Sequence, residues 1–212
     1  TWRTAQVGAF DRYLPRRAYS DGAAWSAATQ AYQAELLRHH IETIRRLKFR
    51  PAGGFCLSAL ADAEPEGGFG ILDHVRNRKP AYDAVLDACR PVVVVAEPLP
   101  EVLAPGQHVR TDVHAISDLN QPLGHVQVSA IARCGDWSVT RSWEGNLPAN
   151  GCEFIGTFEF AVPRTQGSLI VDLHLLAADR AATNRYKSVI IPAAESFVVT
   201  ETASNRPRPR LG

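Results

Sequence analysis

Methionine is absent from the 212 residues, and the chain opens on Thr1. Both facts suit a processed or truncated product, so the expectation is a piece of a longer protein. Cysteine is scarce. The four residues, Cys56, Cys89, Cys134 and Cys152, include no C-x-x-C pair, which argues against zinc-ribbon and thioredoxin-type redox sites. Cys56 falls in an apolar run and reads as a small core residue. Cys134 and Cys152 could meet across two neighbouring strands, which leaves a bridge and two free thiols both open. An excess of charge is also missing: 23 Lys and Arg against 22 Asp and Glu leave a net charge of +1, and so no general pull toward nucleic acid or acidic membranes. No apolar run approaches the roughly 20 residues that span a bilayer, and no signal peptide is visible at Thr1. The expectation is a cytoplasmic protein with neither nucleic acid nor membrane as partner.

Metal and nucleophile signatures are missing too. His39 and His40 are adjacent in a helical pattern, so they point about 100° apart and cannot chelate one ion from a shared face. His74, His108, His114, His125 and His174 are scattered without ligand spacing. Ser58 has no nucleophile elbow around it. No metal and no cofactor is expected.

What is present is the composition of a globular chain, 45% apolar and 21% charged, long enough for one or two cores. Ser20-Asp21 offers a helix N-cap. From Ala23 to Lys48 the residues Ala27, Ala31, Ala34, Leu37, Ile41, Ile44 and Leu47 recur at three- and four-residue spacing, one face of a long helix. Trp25, Ala28, Tyr32 and Leu36 form a second stripe, while Glu35 and Glu42 read as outward-facing. Pro51-Ala52-Gly53-Gly54 breaks the helix. Phe55 to Ala61 then runs almost unbroken as small or apolar residues, which predicts a strand buried on both faces, as in a parallel sheet. Pro80 to Cys89 predicts a short helix, with Pro80 in its first turn.

At Val92 the pattern changes to short alternating segments between turn signals: Val92–Ala96, His108–Ile116, His125–Ala132, Trp137–Trp143, Phe154–Val162, Leu169–Leu176 and Tyr186–Ile191, with Phe197–Thr200 as a further edge. About seven strands in a hundred residues predict an immunoglobulin-like sandwich. The division is thus 1–91, 92–203 and a disordered basic tail, 204–212. One buried strand and two helices cannot close a parallel barrel, so residues 1–91 look like part of something larger.

The candidate chemistry lies just after the buried run. Asp62, Glu64 and Glu66 stand at i, i+2 and i+4, either as a solvated acidic loop or as a sugar- or ion-binding rim. Asp62, which ends the run, is best placed to line a pocket, with Ser58 and Glu64 beside it, because ligands of parallel barrels sit beyond the strands' C-terminal ends. Asn77-Arg78-Lys79 reads as a solvent-facing basic turn. Trp137 and Trp143 are either core residues or a joint stacking platform for sugar.

Gly53-Gly54-Phe55-Cys56, Asp62, Gly70-Ile71-Leu72-Asp73 and Arg78-Lys79-Pro80-Ala81-Tyr82 together resemble the last barrel strand and following helix of glycoside hydrolase family 2, and among its members the β-mannosidase-like enzymes. Ala61 stands where that family usually has Asn, and Ser58 where an aromatic or polar sugar-contacting residue is common. The resemblance continues into the β-rich half. It implies the terminal part of a (β/α)8 TIM barrel followed by an immunoglobulin-like β-sandwich, an α/β plus all-β chain. It further implies a carbohydrate substrate, the remainder of the same enzyme as partner, and an oligomer contact through the sandwich. The family's catalytic glutamates occur in N-E and E-(F/Y)-G contexts, and neither is present, so no catalytic residue is expected in this chain. The competing reading is a non-catalytic β-sandwich module that binds carbohydrate or protein.

Overall fold

A computed structural model describes residues 13–65 and 68–191. Trp2, Phe10, Glu66, the Phe197–Thr200 segment and the basic tail lie outside the described residues. The chain divides between Arg90 and Pro91 into two compact units.

The first unit is built on α1 (Gly22–Arg46) and α2 (Pro80–Ala88), which pack on one another. The Asp21 carboxylate caps α1, accepting from the Ala24 amide at 2.8 Å. That hydrogen bond, helped by the Ser20 hydroxyl, holds the Asp21 carboxyl below the usual carboxylate range. Burial on α1 is confined to its last third, at Ile41, Glu42 and Arg45; Ala27 and Ala31 of the apolar stripe are exposed. Glu42 is therefore not outward-facing as its position suggested, while Glu35 is. Arg45 Nη1 donates to the Ala88 carbonyl at the end of α2, where the orphan carbonyls and the negative end of the helix dipole favour a cation. No helix among the described residues is long and apolar enough to cross a membrane.

The predicted buried strand is not formed. Among the described residues the first unit contains no strand at all, only isolated bridges between Lys48 and Ala52, Ala61 and Leu72, and Leu72 and Arg78. Phe55 and Leu60 are exposed, Leu60 by 63%, and Cys56 is a surface thiol rather than a core residue. The physical reason is pairing. A strand buried on both faces needs a hydrogen-bonded neighbour on each edge, and the described residues of this unit supply no more than the bridge from Leu72 to Ala61. The described residues accordingly show no part of a barrel.

Among the described residues the second unit is a sandwich of eight strands: β1 (Val92–Ala96), β2 (Val102–Leu103), β3 (His108–Ser117), β4 (Gly124–Cys134), β5 (Trp137–Leu147), β6 (Cys152–Ala161), β7 (Gly167–Leu176) and β8 (Ala181–Ile190). One sheet has the order β1-β3-β6 and the other β2-β8-β7-β4-β5. All neighbours are antiparallel except the two-residue β2, which runs parallel to β8. The alternating residues fill the space between the sheets: Val126, Val128, Ala130 and Ala132 from β4, and Leu169, Val171, Leu173 and Leu175 from β7. These meet Val109, Val113, Phe158 and Phe160 from the other sheet. Polar ties cross the core as well. Tyr186 Oη accepts from the Ala96 amide at 3.0 Å, and Asn184 Nδ2 donates to the Val94 carbonyl at 3.1 Å.

Phe154 departs from the expected alternation. The register slips between Val113 and His114, so that His114 faces Phe154 and Ile155 is the extra residue on β6. Such a bulge reverses the phase of a strand. Phe158 and Phe160 point inward and Phe154 is 56% exposed.

Both tryptophans of β5 belong to the core side. Trp137 lies against Phe160 with ring centres 5.9 Å apart, and Trp143 meets Phe158 edge to face at 6.3 Å. They stand six residues apart on one strand, about 20 Å at strand rise, so they form no joint platform. Cys134 is buried and Cys152 half-buried, and no disulfide joins them. Gly156 of β6 leaves no room between itself and Trp143 of the facing sheet: a Cβ there would lie 2.3 Å from Trp143 Nε1. Gly156→Ala should cost about 1–3 kcal/mol, the usual range for overpacking, read as a lowered urea midpoint at unchanged m-value.

Candidate functional site

The predicted site residues lie on the segment that joins the apolar run to α2, and local hydrogen bonding folds it back on itself. The amides of Ile71 and Leu72 both donate to the Leu60 carbonyl, at 3.1 and 3.0 Å. The Asp62 amide donates to Leu72 O at 3.0 Å, and the Lys79 amide to Ile71 O at 3.0 Å. Three stretches far apart in the loop, at Leu60–Asp62, Ile71–Leu72 and Lys79, are thereby held side by side. Asp73 makes the turn between the last two. Its carboxylate accepts from the amides of Val75 and Asn77, at 2.9 and 2.8 Å, and from Asn77 Nδ2 at 3.0 Å. Partial desolvation pushes the Asp73 carboxyl up, but these hydrogen bonds outweigh it and hold the group below its ordinary range.

Asp62 sits at the centre of this arrangement, with its side chain only 4% exposed. Oδ1 accepts from the Gly70 amide at 2.8 Å, and Oδ2 is ion-paired with Lys79 Nζ. The Lys79 ammonium also reaches the Gly68 carbonyl at 3.4 Å. Asp62 thus turns its carboxylate inward instead of toward an open surface. Lys79, expected in a solvent-facing basic turn, has an 8% exposed side chain. The correction follows from charge pairing: a carboxylate removed from water at the end of an apolar run demands a cation beside it. Arg78, its neighbour, is free to turn outward and lies over the Tyr82 ring, 4.5 Å from its centre.

Ser58 and Glu64 are both exposed, on either side of the buried Asp62. The structure therefore brings Asp62 together with Lys79, Gly68 and Gly70, and leaves Ser58 and Glu64 on the surface. Lys79 and Gln33 are the residues that sequence reasoning missed. Gln33 Nε2, from the middle of α1, donates to the carbonyls of Phe69 and Gly70 at 3.2 Å each. Lys79 is the N-cap of α2, immediately before its opening Pro80, and nothing in that position marks its side chain as buried. Nothing in sequence spacing points to Gln33. Among the described residues, no group of three or more His, Cys, Asp or Glu is placed to hold a metal ion.

Gly70 has no room for a side chain. A Cβ would lie 2.5 Å from both the Ala61 carbonyl carbon and the Asp62 nitrogen, which are backbone atoms and cannot swing away. Gly70→Ala should lower the stability of the first unit by about 1–3 kcal/mol. Gly53→Ala, where nothing lies within 4 Å, should leave it unchanged within about 0.5 kcal/mol. Urea unfolding followed by the fluorescence of a probe on Cys56 checks the pair.

No family model matches the chain, and no curated protein matches it. Solved structures do. The crystal structure of the exo-chitosanase CsxA of Amycolatopsis orientalis superposes with a TM-score of 0.66 at 14% identity, covering 85% of this chain and 21% of the enzyme. The same protein, described as an exo-β-D-glucosaminidase and inhibited by a glucosamine-configured castanospermine, superposes at 0.63 and 14% identity over 80% of this chain and 20% of its own. A match over 85% of the chain is more than Pro91–Gly212 can supply alone, so the likeness includes residues of the first unit. The chain spans about one fifth of the exo-chitosanase, and it shares the fold of that portion.

Proposed function

We propose that this chain is the C-terminal part of a retaining exo-β-glycosidase of the family 2 type, β-mannosidase-like. In this reading residues 1–91 complete a catalytic (β/α)8 barrel, and 92–203 are an immunoglobulin-like sandwich that braces it. The observation that carries the reading is the fold likeness to a fifth of an exo-chitosanase across 85% of this chain. A second observation agrees. Phe55 to Ala61 has the composition of a strand buried on both faces, and yet Phe55, Cys56, Ser58 and Leu60 are exposed and its pairing among the described residues is one isolated bridge, from Ala61 to Leu72, which fits a strand whose neighbours are contributed by another part of the protein.

Retaining hydrolysis needs two carboxyl groups about 5 Å apart, one as acid/base and one as nucleophile. The chain offers no such pair at its candidate site: Asp62 is committed to Lys79 and Gly70, and Glu64 is a single exposed carboxylate. Its part in the reaction is to line the sugar pocket through the Ser58–Glu64 stretch, which Asp62 holds from inside, while the upstream remainder of the enzyme supplies the chemistry. Terminal β-linked sugars are the substrate class.

The isolated 212 residues should turn over no nitrophenyl β-mannoside, β-galactoside, β-glucoside, β-glucuronide or β-glucosaminide. The full-length parent should cleave at least one of them with retention, as read by NMR of the first-formed anomer. Asp62→Ala in the parent should lower kcat/KM by roughly ten- to a hundredfold, the worth of a charge-assisted hydrogen bond. Turnover by the isolated chain, or inversion by the parent, overturns the reading.

The proposed division also predicts how the two parts behave apart. Residues 92–203 expressed alone should give a β-type circular dichroism spectrum and a single cooperative melt, since their core is self-contained. Residues 1–91 alone should aggregate or stay unfolded, because an unpaired apolar run leaves backbone groups unsatisfied. A soluble, cooperatively melting 1–91 would count against a missing barrel.

A further inference from the structure

Lys79 is the one lysine among the buried polar residues, and it sits 17 positions from the carboxylate it neutralises. We infer that Lys79 is a positioning residue for the pocket-lining stretch Ser58–Glu64; this rests on the glycosidase reading above. The geometry carries it. The chain leaves Asp62 toward Glu64 and comes back at Gly68–Gly70. The two limbs are joined through one carboxylate: Asp62 Oδ1 takes the Gly70 amide, and Oδ2 takes the Lys79 ammonium, which also reaches the Gly68 carbonyl. Space is tight on the same spot. A Cβ on Gly68 would fall 2.6 Å from Asp62 Oδ1, and one on Gly70 would strike the Ala61–Asp62 backbone. The direction in which Ser58 and Glu64 emerge is therefore set by Asp62, and Asp62 is held by Lys79.

Charge decides why the lysine is needed. A carboxylate this far removed from water is strongly disfavoured without a cation. Take Lys79 away and Asp62 gains by turning out to solvent, which strips the Gly70 amide of its acceptor and parts the two limbs. Lys79 itself touches no surface that a sugar could reach. Its loss should therefore weaken substrate binding more than the chemical step, whose groups the chain does not carry.

The test uses Lys79→Met, Asp62→Asn and the double variant, with two independent readouts. The first is amide hydrogen exchange in the full chain. Lys79→Met should speed exchange at Gly70 by about tenfold or more, while the Cys89 amide, bonded to Val85 O in α2, changes by less than about twofold. The double variant, which leaves no buried charge unpaired, should recover part of the protection and keeps the test open where Lys79→Met folds poorly. Unchanged Gly70 exchange in both overturns the inference. The second readout is the kinetics of the full-length parent on its best β-glycoside: Lys79→Met should raise KM about five- to tenfold with kcat within about twofold. Faster Gly70 exchange with unchanged KM also overturns it, since the loop would then be held without consequence for substrate. A parent that hydrolyses no β-glycoside sinks the glycosidase reading instead, and the Gly70 exchange rate still decides whether Lys79 holds the loop.

Discussion

A polar or charged group taken out of water must find its partner inside the protein, and the details of both units follow from that constraint. In the first unit it is met by Lys79 against Asp62 and by Arg45 against the end of α2. In the second it is met by Asp172, 5% exposed on the outer face of the larger sheet and clamped between Arg185 and Arg133 at 2.6 and 3.1 Å. Asp172 in turn raises the Arg185 guanidinium above its ordinary value by hydrogen bond and charge. Between the sheets Tyr186 and Asn184 satisfy the backbone of β1. Where no partner is supplied, at Phe55–Ala61, the predicted strand is simply not made.

The two units meet the constraint differently. The sandwich is self-sufficient: every long strand pairs along most of its length, and the inward-facing residues form one contiguous core. The first unit has two helices in contact and a folded-back loop, but large apolar side chains such as Phe49, Leu60 and Phe69 remain more than half exposed. That unit thus combines much exposed apolar surface with a loop whose ends are tied through Asp62, Gly70 and Lys79. The fold likeness to one portion of a much longer glycosidase is of a piece with that imbalance.

Much of this was legible in the residues. The Asp21 cap, the long helix and the Pro80 helix start all appear where local signals put them, because capping and helical periodicity act within a few residues. The alternation from Val92 onward located each long strand, and β1 falls on the Val92–Ala96 segment itself, but β8 starts five residues before the expected Tyr186 and β5 runs four beyond Trp143. The two-residue β2 escaped notice because so short a bridge has no period to detect. Phe154 was put on the wrong face because a bulge adds one residue without marking itself in the composition.

What the sequence determined by itself is what depends on neighbours along the chain: helix ends, strand periodicity, and the compact loop that Asp73 and its glycines impose. Tertiary structure alone decided the rest. It placed Lys79 on Asp62, Gln33 on the carbonyls of Phe69 and Gly70, and Trp137 and Trp143 against Phe160 and Phe158. It also decided that an apolar run with the composition of a buried strand would form no strand among the described residues. The physical reason is the same in each case. Burial and charge pairing depend on what else comes close in space, and a run of residues carries no record of its distant partners.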